Sequence, residues 1–245
     1  MNSRLVWLLV KGELERLHKY NLTTISVGVA ILWSIILYFV GGDLLKMLLP
    51  MVILMDATVM AIMYVGSIMY FEKSESTIST LLVTPVSNVD LLVSKIIANT
   101  LHNVFSSALI IIAFSFLSDV VINYFLITIA IVLATAVHTV IGICMSYTTK
   151  DFTRMLLRSM SFAFLLMIPT LLVFFGVLKG EAWEYINLIN PVNSALVLLS
   201  ASFENAEITW HFWVSLVYFI VGGSLLYYYY ALPKFKEYAV KQSGV

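Results

Sequence analysis

Cysteine is almost missing from this sequence. Cys144 stands alone among 245 residues, so no intramolecular disulfide and no thiolate metal cage can form. A lone cysteine with apolar neighbours behaves as a small hydrophobe. Charge is scarce as well: 11% of residues are charged, against roughly a quarter in soluble domains, which takes the chain out of the globular class. Formal net charge is zero, so bulk charge gives nucleic acid nothing to bind. No G-x-x-x-x-G-K-[ST] occurs, which excludes a P-loop. No H-E-x-x-H occurs, and four scattered histidines make no metal site. Gly222-Gly223-Ser224 fails as a nucleophile elbow because Leu226 stands where the second glycine is needed. A cleavable signal peptide is not expected, since Lys11, Glu13, Glu15, Arg16 and Lys19 precede the first long apolar block.

What is abundant is apolar sequence: 61% of residues are hydrophobic. They fall into six blocks, Leu22 to Val40, Met47 to Phe71, Ile96 to Leu117, Tyr124 to Met145, Ser159 to Leu178 and Trp210 to Leu232. A helix needs about 20 residues to cross the hydrocarbon of a bilayer, and all six qualify. The blocks are continuous rather than alternating, so helices are expected and a barrel is not. The expected fold is an all-α membrane protein of six transmembrane helices.

Six spans put both termini on one side. Twelve of the fourteen Lys and Arg residues fall on that side, leaving only Lys46 and Lys179 on the other. The positive-inside rule places the richer side, with both termini, in the cytoplasm. Residues 1–21 form an amphipathic segment: Val6, Val10, Leu14 and Leu17 share one helical face, and Arg4, Lys11, Glu15 and Lys19 the other. With Trp7 bordering the stripe, it is expected to lie in the cytoplasmic interface. Residues 22–232 are then the permeating domain and 233–245 a cytoplasmic tail. Between spans 5 and 6, Pro191 to Phe203 is apolar but too short to cross, which suggests a short re-entrant outer hairpin. Glu181, Glu184, Glu204 and Glu207 would hold its ends in water.

The most informative stretch follows span 2. Ile78, Leu81 and Leu82 have i, i+3, i+4 spacing and predict a short helix with one apolar face. Pro85 pushes Thr84 out of helical angles and ends it. Ser87 three residues before Asp90 resembles a capping box for the next helix. Local physics gives a bent element at the membrane surface, and a simple connecting loop would read the same way.

This loop resembles the signature of type-2 ABC exporter permeases, the membrane subunits of ATP-driven exporters. Their pattern is an acid, then G-T-L-x-x-L-L-x-T-P-x-S-x-x-E-x-x-x-x-K. Glu75, Thr77, Leu81, Leu82, Thr84, Pro85, Ser87, Asp90 and Lys95 match it, while Ser76 replaces the usual glycine and Asp90 the usual glutamate. Asn190-Pro191 resembles the family's N-P before its re-entrant helices. A weaker likeness to the subgroup that exports fluoroquinolone-type drugs appears around span 2.

The resemblance implies half a permease that pairs with a second copy or a homologue and docks on a separate ABC ATPase. ATP and Mg would sit on that partner, and this chain would bind no cofactor and catalyse nothing itself. It also implies Glu72, Glu75, Thr77, Thr84 and Pro85 as coupling residues. Glu72 and Glu75 could pair with basic residues of the ATPase, or with Arg16 and Lys19 of the chain's own first helix. Lys150, Asp151, Arg154 and Arg158, after span 4, form a second docking candidate or a basic flank that only sets topology. A substrate would be amphipathic or apolar: a drug, a lipid-like molecule or a peptide.

Inside the spans, Asp56 lies about 14 Å from the outer end of its block at about 1.5 Å per residue. A buried acid there either lines a substrate path or makes a structural hydrogen bond. Met55, Met60 and Met63 beside it could adapt to apolar ligands or simply fill gaps. His138 in span 4 is expected to be a packed neutral histidine. The alternative to an exporter subunit is a membrane-embedded enzyme, or an immunity or assembly protein with the same helices.

Overall fold

The computed structural model describes residues 3–40, 42–82, 84–117, 119–149, 151–203 and 206–242. Lys150 and Glu204 lie outside the described residues. An amino-terminal helix, Ser3–Lys19, precedes six helices long and apolar enough to cross a membrane. These are span 1 Leu22–Phe39, span 2 Leu44–Ser74, span 3 Asn88–Ser115, span 4 Tyr124–Ser146, span 5 Phe152–Phe174 and span 6 Trp210–Tyr238. Short helices Thr77–Leu82, Glu181–Leu188 and Pro191–Ser200 fill the loops. Among the described residues there is no strand, only one isolated bridge between Ile122 and Phe203.

Span 2 is the central strut. Of its most apolar stretch 78% is buried, against 61% for span 4 and 50% for span 3. Spans 1 and 5 bury only 22% each and span 6 only 11%, so apolar side chains cover the outside of the bundle. In lipid this is the expected inversion: packing, not water exclusion, holds the helices together. Gly142 of span 4 shows the closeness of that packing. A Cβ there would meet Val65 Cγ1 at 2.6 Å and the Ile62 carbonyl oxygen at 2.9 Å.

Span 2 carries a π-turn, Asp56–Met60, at mid-depth. Span 6 carries two, Tyr218–Gly222 and Tyr227–Ala231. The second has a local cause, because the Pro233 ring would collide with the carbonyl four residues earlier, Tyr229, in a regular α-helix. Span 6 does not stop at Leu232. It continues as helix to Gln242, and Phe235 and Tyr238 bury themselves beside Ile78, Leu91 and Leu92. The segment expected as a tail is thus packed structure over its described part.

The outer segment is two short helices, the second apolar and buried along one side. Asn190 caps that helix by accepting from the Val192 N–H. Its amide nitrogen donates to the Leu166 carbonyl at 2.7 Å and the Thr170 hydroxyl at 3.0 Å, strapping the segment to span 5 beside Pro169.

Candidate coupling site and buried acid

The bent loop forms as its sequence dictates. Helix Thr77–Leu82 stops before Pro85, and Ser87 caps span 3 by accepting from the Asp90 N–H at 3.1 Å. The second half of the capping box differs from the pattern. The Asp90 carboxylate takes the Ser87 hydroxyl at 2.6 Å instead of reaching back to a backbone N–H, as its side chain is one methylene shorter than glutamate. Ser76 enters the loop helix with φ of +55°. That left-handed conformation is the one glycine adopts without strain, which explains the glycine of the resembled pattern. Ile78 is buried, so the apolar face of this helix packs against spans 2, 3 and 4 and the end of span 6. Glu75, Ser76, Thr80, Thr84 and Pro85 remain exposed, and Thr77 is half-buried.

At the base of the loop four charges meet. Glu13 and Arg16 come from the amino-terminal helix, Glu72 from span 2 and Lys95 from span 3. Lys95 Nζ lies 2.8 Å from Glu13 Oε1 and 2.5 Å from Glu72 Oε1. Arg16 reaches the same two oxygens at 2.7 and 2.9 Å. The set is neutral, and Glu13, Glu72 and Lys95 are almost wholly buried. Burial works against the Arg16 charge, yet Glu13 and Glu72 more than offset it and hold its pKa above the ordinary value. The cluster fixes the amino-terminal helix to spans 2 and 3. Tyr20 stacked on Phe71, with ring centres 4.4 Å apart, and Phe71 on Phe152 at 5.5 Å extend the contact to span 5.

A second pair lies outside this cluster: Lys19 Nζ sits 2.9 Å from Glu75 Oε2, in water. Of the two partners open to Glu72 and Glu75 in the sequence, the structure therefore supplies Arg16 and Lys19. Glu72 presents no surface to another protein in this conformation, whereas Glu75, Thr84 and Pro85 do.

Asp56 is held differently. Its carboxylate accepts from Ser106 Oγ at 3.0 Å and Ser107 Oγ at 2.6 Å, both on span 3. It is 2% exposed and makes no ion pair among the described residues. Towards the loop, Asn99 donates to the Ala61 carbonyl at 2.9 Å and to Thr139 of span 4 at 2.7 Å. Asn103 donates to the Asn99 carbonyl, and His102 lies edge-on to Tyr64. A polar seam thus runs down span 3 from Ser107 to Lys95.

The sequence profile of the fluoroquinolones export permease protein family matches residues 4–243. The chain belongs to that family. No individual curated protein matches it significantly. With six spans and this family, the chain is a multi-pass membrane protein and an export permease.

Within this permease, the sequence-expected residues fall into two groups. Glu72, Glu75, Thr77, Thr84 and Pro85 come together at one end of span 2. Asp56 and the methionines do not converge in this way. Met55 and Met63 pack against the main core, while Met60 joins Leu17, Leu22, Tyr64 and Ile68. Asp56 turns towards span 3. His138 is buried, with its Nδ1 2.7 Å from the Ala134 carbonyl. In the loop after span 4, Asp151 caps span 5 through the Arg154 N–H and pairs with the Arg154 side chain, while Arg158 bonds Thr148.

Sequence reasoning missed Glu13, Asn99, His102, Asn103, Ser106 and Ser107. The signal was present for span 3: Lys95, Asn99, His102, Asn103, Ser106 and Ser107 recur at helical spacing inside an apolar block, marking one polar stripe. Glu13 was visible as an acid on the apolar face beside Val10 and Leu17, a position that makes sense only if a buried cation meets it.

Proposed function

We propose that this chain is the permease subunit of an ABC exporter, working as a homodimer or with a homologous permease. A separate ABC ATPase carries ATP and Mg, and this chain binds no nucleotide. It sits in the plasma membrane with both termini in the cytoplasm, as the distribution of Lys and Arg argues. The exposed edge of the loop, Glu75, Thr84 and Pro85, meets the ATPase. Glu72 acts one step behind that edge, through Lys95 and Arg16.

The observation that carries this reading is the four-charge cluster at the root of the loop. A push on the loop cannot move span 2 without moving the amino-terminal helix and span 3, because breaking a buried pair costs about 3–5 kcal/mol. Docking movements would therefore reach three elements as one body. The substrate is an amphipathic or apolar compound. The family's name points to fluoroquinolone-type drugs, and the few charges inside the spans suit a ligand of that character.

The test is co-expression with candidate ATPases, purification, and ATP-driven uptake of a fluorescent fluoroquinolone into inverted vesicles. A co-purifying ATPase and ATP-dependent uptake are expected. Glu75→Ala and Pro85→Ala should keep insertion and assembly but weaken drug-stimulated ATP hydrolysis. Unchanged transport in Glu75→Ala, Thr84→Ala and Pro85→Ala alike would remove the loop as the coupling element. Uptake without any ATPase would remove the ABC reading.

A further inference from the structure

Spans 4 and 6 do not close against each other along their whole length. Between them runs a groove of about 580 Å³, reaching Ile96 of span 3 at one end. Small residues open it: Ala136 of span 4, and Gly223 and Ser224 of span 6. Where the helices do touch they touch hard, since a Cβ on Gly223 would lie 2.8 Å from Val137 Cγ2. The two π-turns of span 6 bracket this stretch, and both contribute to the walls through Phe219, Ile220 and Tyr227 to Tyr229. π-turns inside α-helices gather at functional sites.

The polarity of the groove is graded. Its walls are aliphatic along Leu133, Val137, Val140 and Leu225, and tyrosines gather only at the end where span 6 runs on towards Gln242. Tyr228 and Tyr229 are well exposed there. Two turns beyond Tyr227 and Tyr229, at about 3.6 residues per turn, stand Lys234 and Lys236, both exposed. Lys234 pairs with Glu237 at 3.1 Å, and Lys236 makes no ion pair among the described residues. Lys73 of span 2 lies near this end as well, 5.9 Å from the centre of the Tyr238 ring.

We infer that this groove holds one acyl chain of an anionic phospholipid, with the headgroup at Tyr228, Tyr229, Lys234 and Lys236. The chemistry runs in the order a lipid presents it. An apolar trough comes first, then tyrosines at the depth of the membrane interface, then cations for a phosphate. A drug-sized ligand fits this trough less well, because small-molecule sites place a few polar groups among apolar walls to fix orientation. The middle of the groove offers a single serine, Ser224. The helix bearing Lys234 and Lys236 buries Phe235 and Tyr238 against the loop helix, so an occupied groove would brace that loop from the side. Binding itself does not depend on which compound is exported or on the ATPase.

The experiment uses the full chain in nanodiscs containing a trace of phosphatidylglycerol or phosphatidylcholine bearing a photoreactive group mid-chain. Crosslinked peptides are mapped by mass spectrometry. The expected result is labelling concentrated on the segments around 133–140 and 219–229, stronger for phosphatidylglycerol. Ala136→Phe, which fills the trough from a half-buried position, should remove it. Lys234→Gln and Lys236→Gln leave the trough intact and should weaken the phosphatidylglycerol preference by about fivefold for each lysine. Three results would overturn the inference: labelling spread evenly over spans 1, 5 and 6, equal labelling by the two lipids, or lipid displaced from the groove by a fluoroquinolone, which would give the groove to the substrate.

Discussion

Span 2 buries two acids and treats them in opposite ways. Glu72, at the loop end, meets two cations, Lys95 and Arg16, and shares them with Glu13. Asp56, about 24 Å away at about 1.5 Å per residue, meets two serine hydroxyls and no cation among the described residues. The first arrangement joins three elements through charges that cannot separate cheaply. The second joins spans 2 and 3 through hydrogen bonds that survive loss of the charge. The comparison teaches that the loop end is built as a rigid joint, while the middle of the bundle holds a polar contact that can be altered without leaving an orphaned ion.

The largest effect should come from breaking the joint. Glu72→Ala or Lys95→Ala leaves the buried cluster with one uncompensated charge, and each should destabilise the protein by about 3–5 kcal/mol. The double substitution removes one charge of each sign and should cost less than the two singles together. Thermal unfolding in mild detergent, with hydrogen exchange along residues 3–19, measures both. Protection of the amino-terminal helix should fall in either single variant. A strictly additive double variant would mean that the cluster does not act as a unit.

Asp56 should respond far less. Asp56→Asn keeps an oxygen for one serine and removes only a charge that nothing neutralises, so stability should change by no more than about 1 kcal/mol. Asp56→Leu leaves both hydroxyls without their acceptor and should cost about 1–3 kcal/mol. If Asp56→Asn proved as damaging as Glu72→Ala, an unseen counter-charge would be required and the contrast would collapse. If it folded normally but exported nothing, the charge itself would have a part in transport.

Much of this architecture could be read from the sequence, for a physical reason. A span is a local property of about 20 residues, and the six apolar blocks appear as six helices, with ends moved where polar residues extend a helix beyond the hydrocarbon. Span 3 begins at Asn88 rather than Ile96, because Ser87 caps it nine residues before the apolar block opens. The loop helix and its stop at Pro85 are equally local. Partners are not local. That Glu72 answers Arg16 was one of two readings, and that Lys95 ties Glu13 to Glu72 needed the packing of three helices. The depth of Asp56 suggested a path or a structural bond. The structural bond is made to Ser106 and Ser107, two ordinary residues within an apolar run.

Ser76 offers a smaller change in the opposite direction. Its φ of +55° is strained for a residue with a Cβ, and the strain is about 1–2 kcal/mol. Ser76→Gly relieves it but adds freedom to the unfolded chain, so a net stabilisation of no more than about 1 kcal/mol is expected. Ser76→Val should destabilise, since a β-branched side chain enters this region least readily. Unfolding temperatures of the two variants should move in opposite directions. If they moved together, the loop would have another way to adopt its bend.

The exposed pair Lys19–Glu75 should show the least. Hydrogen bonding from Tyr20 and Lys19 holds the Glu75 carboxyl below the usual carboxylate range, and Glu75 in turn raises Lys19. For an acid with a depressed folded-state pKa, the stabilisation is complete above its unfolded value, about 4.3. It is lost as pH falls through the folded value. Between pH 6 and 8, chosen about two units above that value, the pair should therefore give no pH dependence. The small gap between wild type and Glu75→Ala should be constant at neutral pH and close in acid, and it should shrink with salt because both groups are solvated. Stability curves at two salt concentrations and several pH values test this. A large, salt-resistant difference at neutral pH would place Glu75 inside the joint with Glu72, and the boundary between the buried cluster and the exposed loop edge would have to move outward past it.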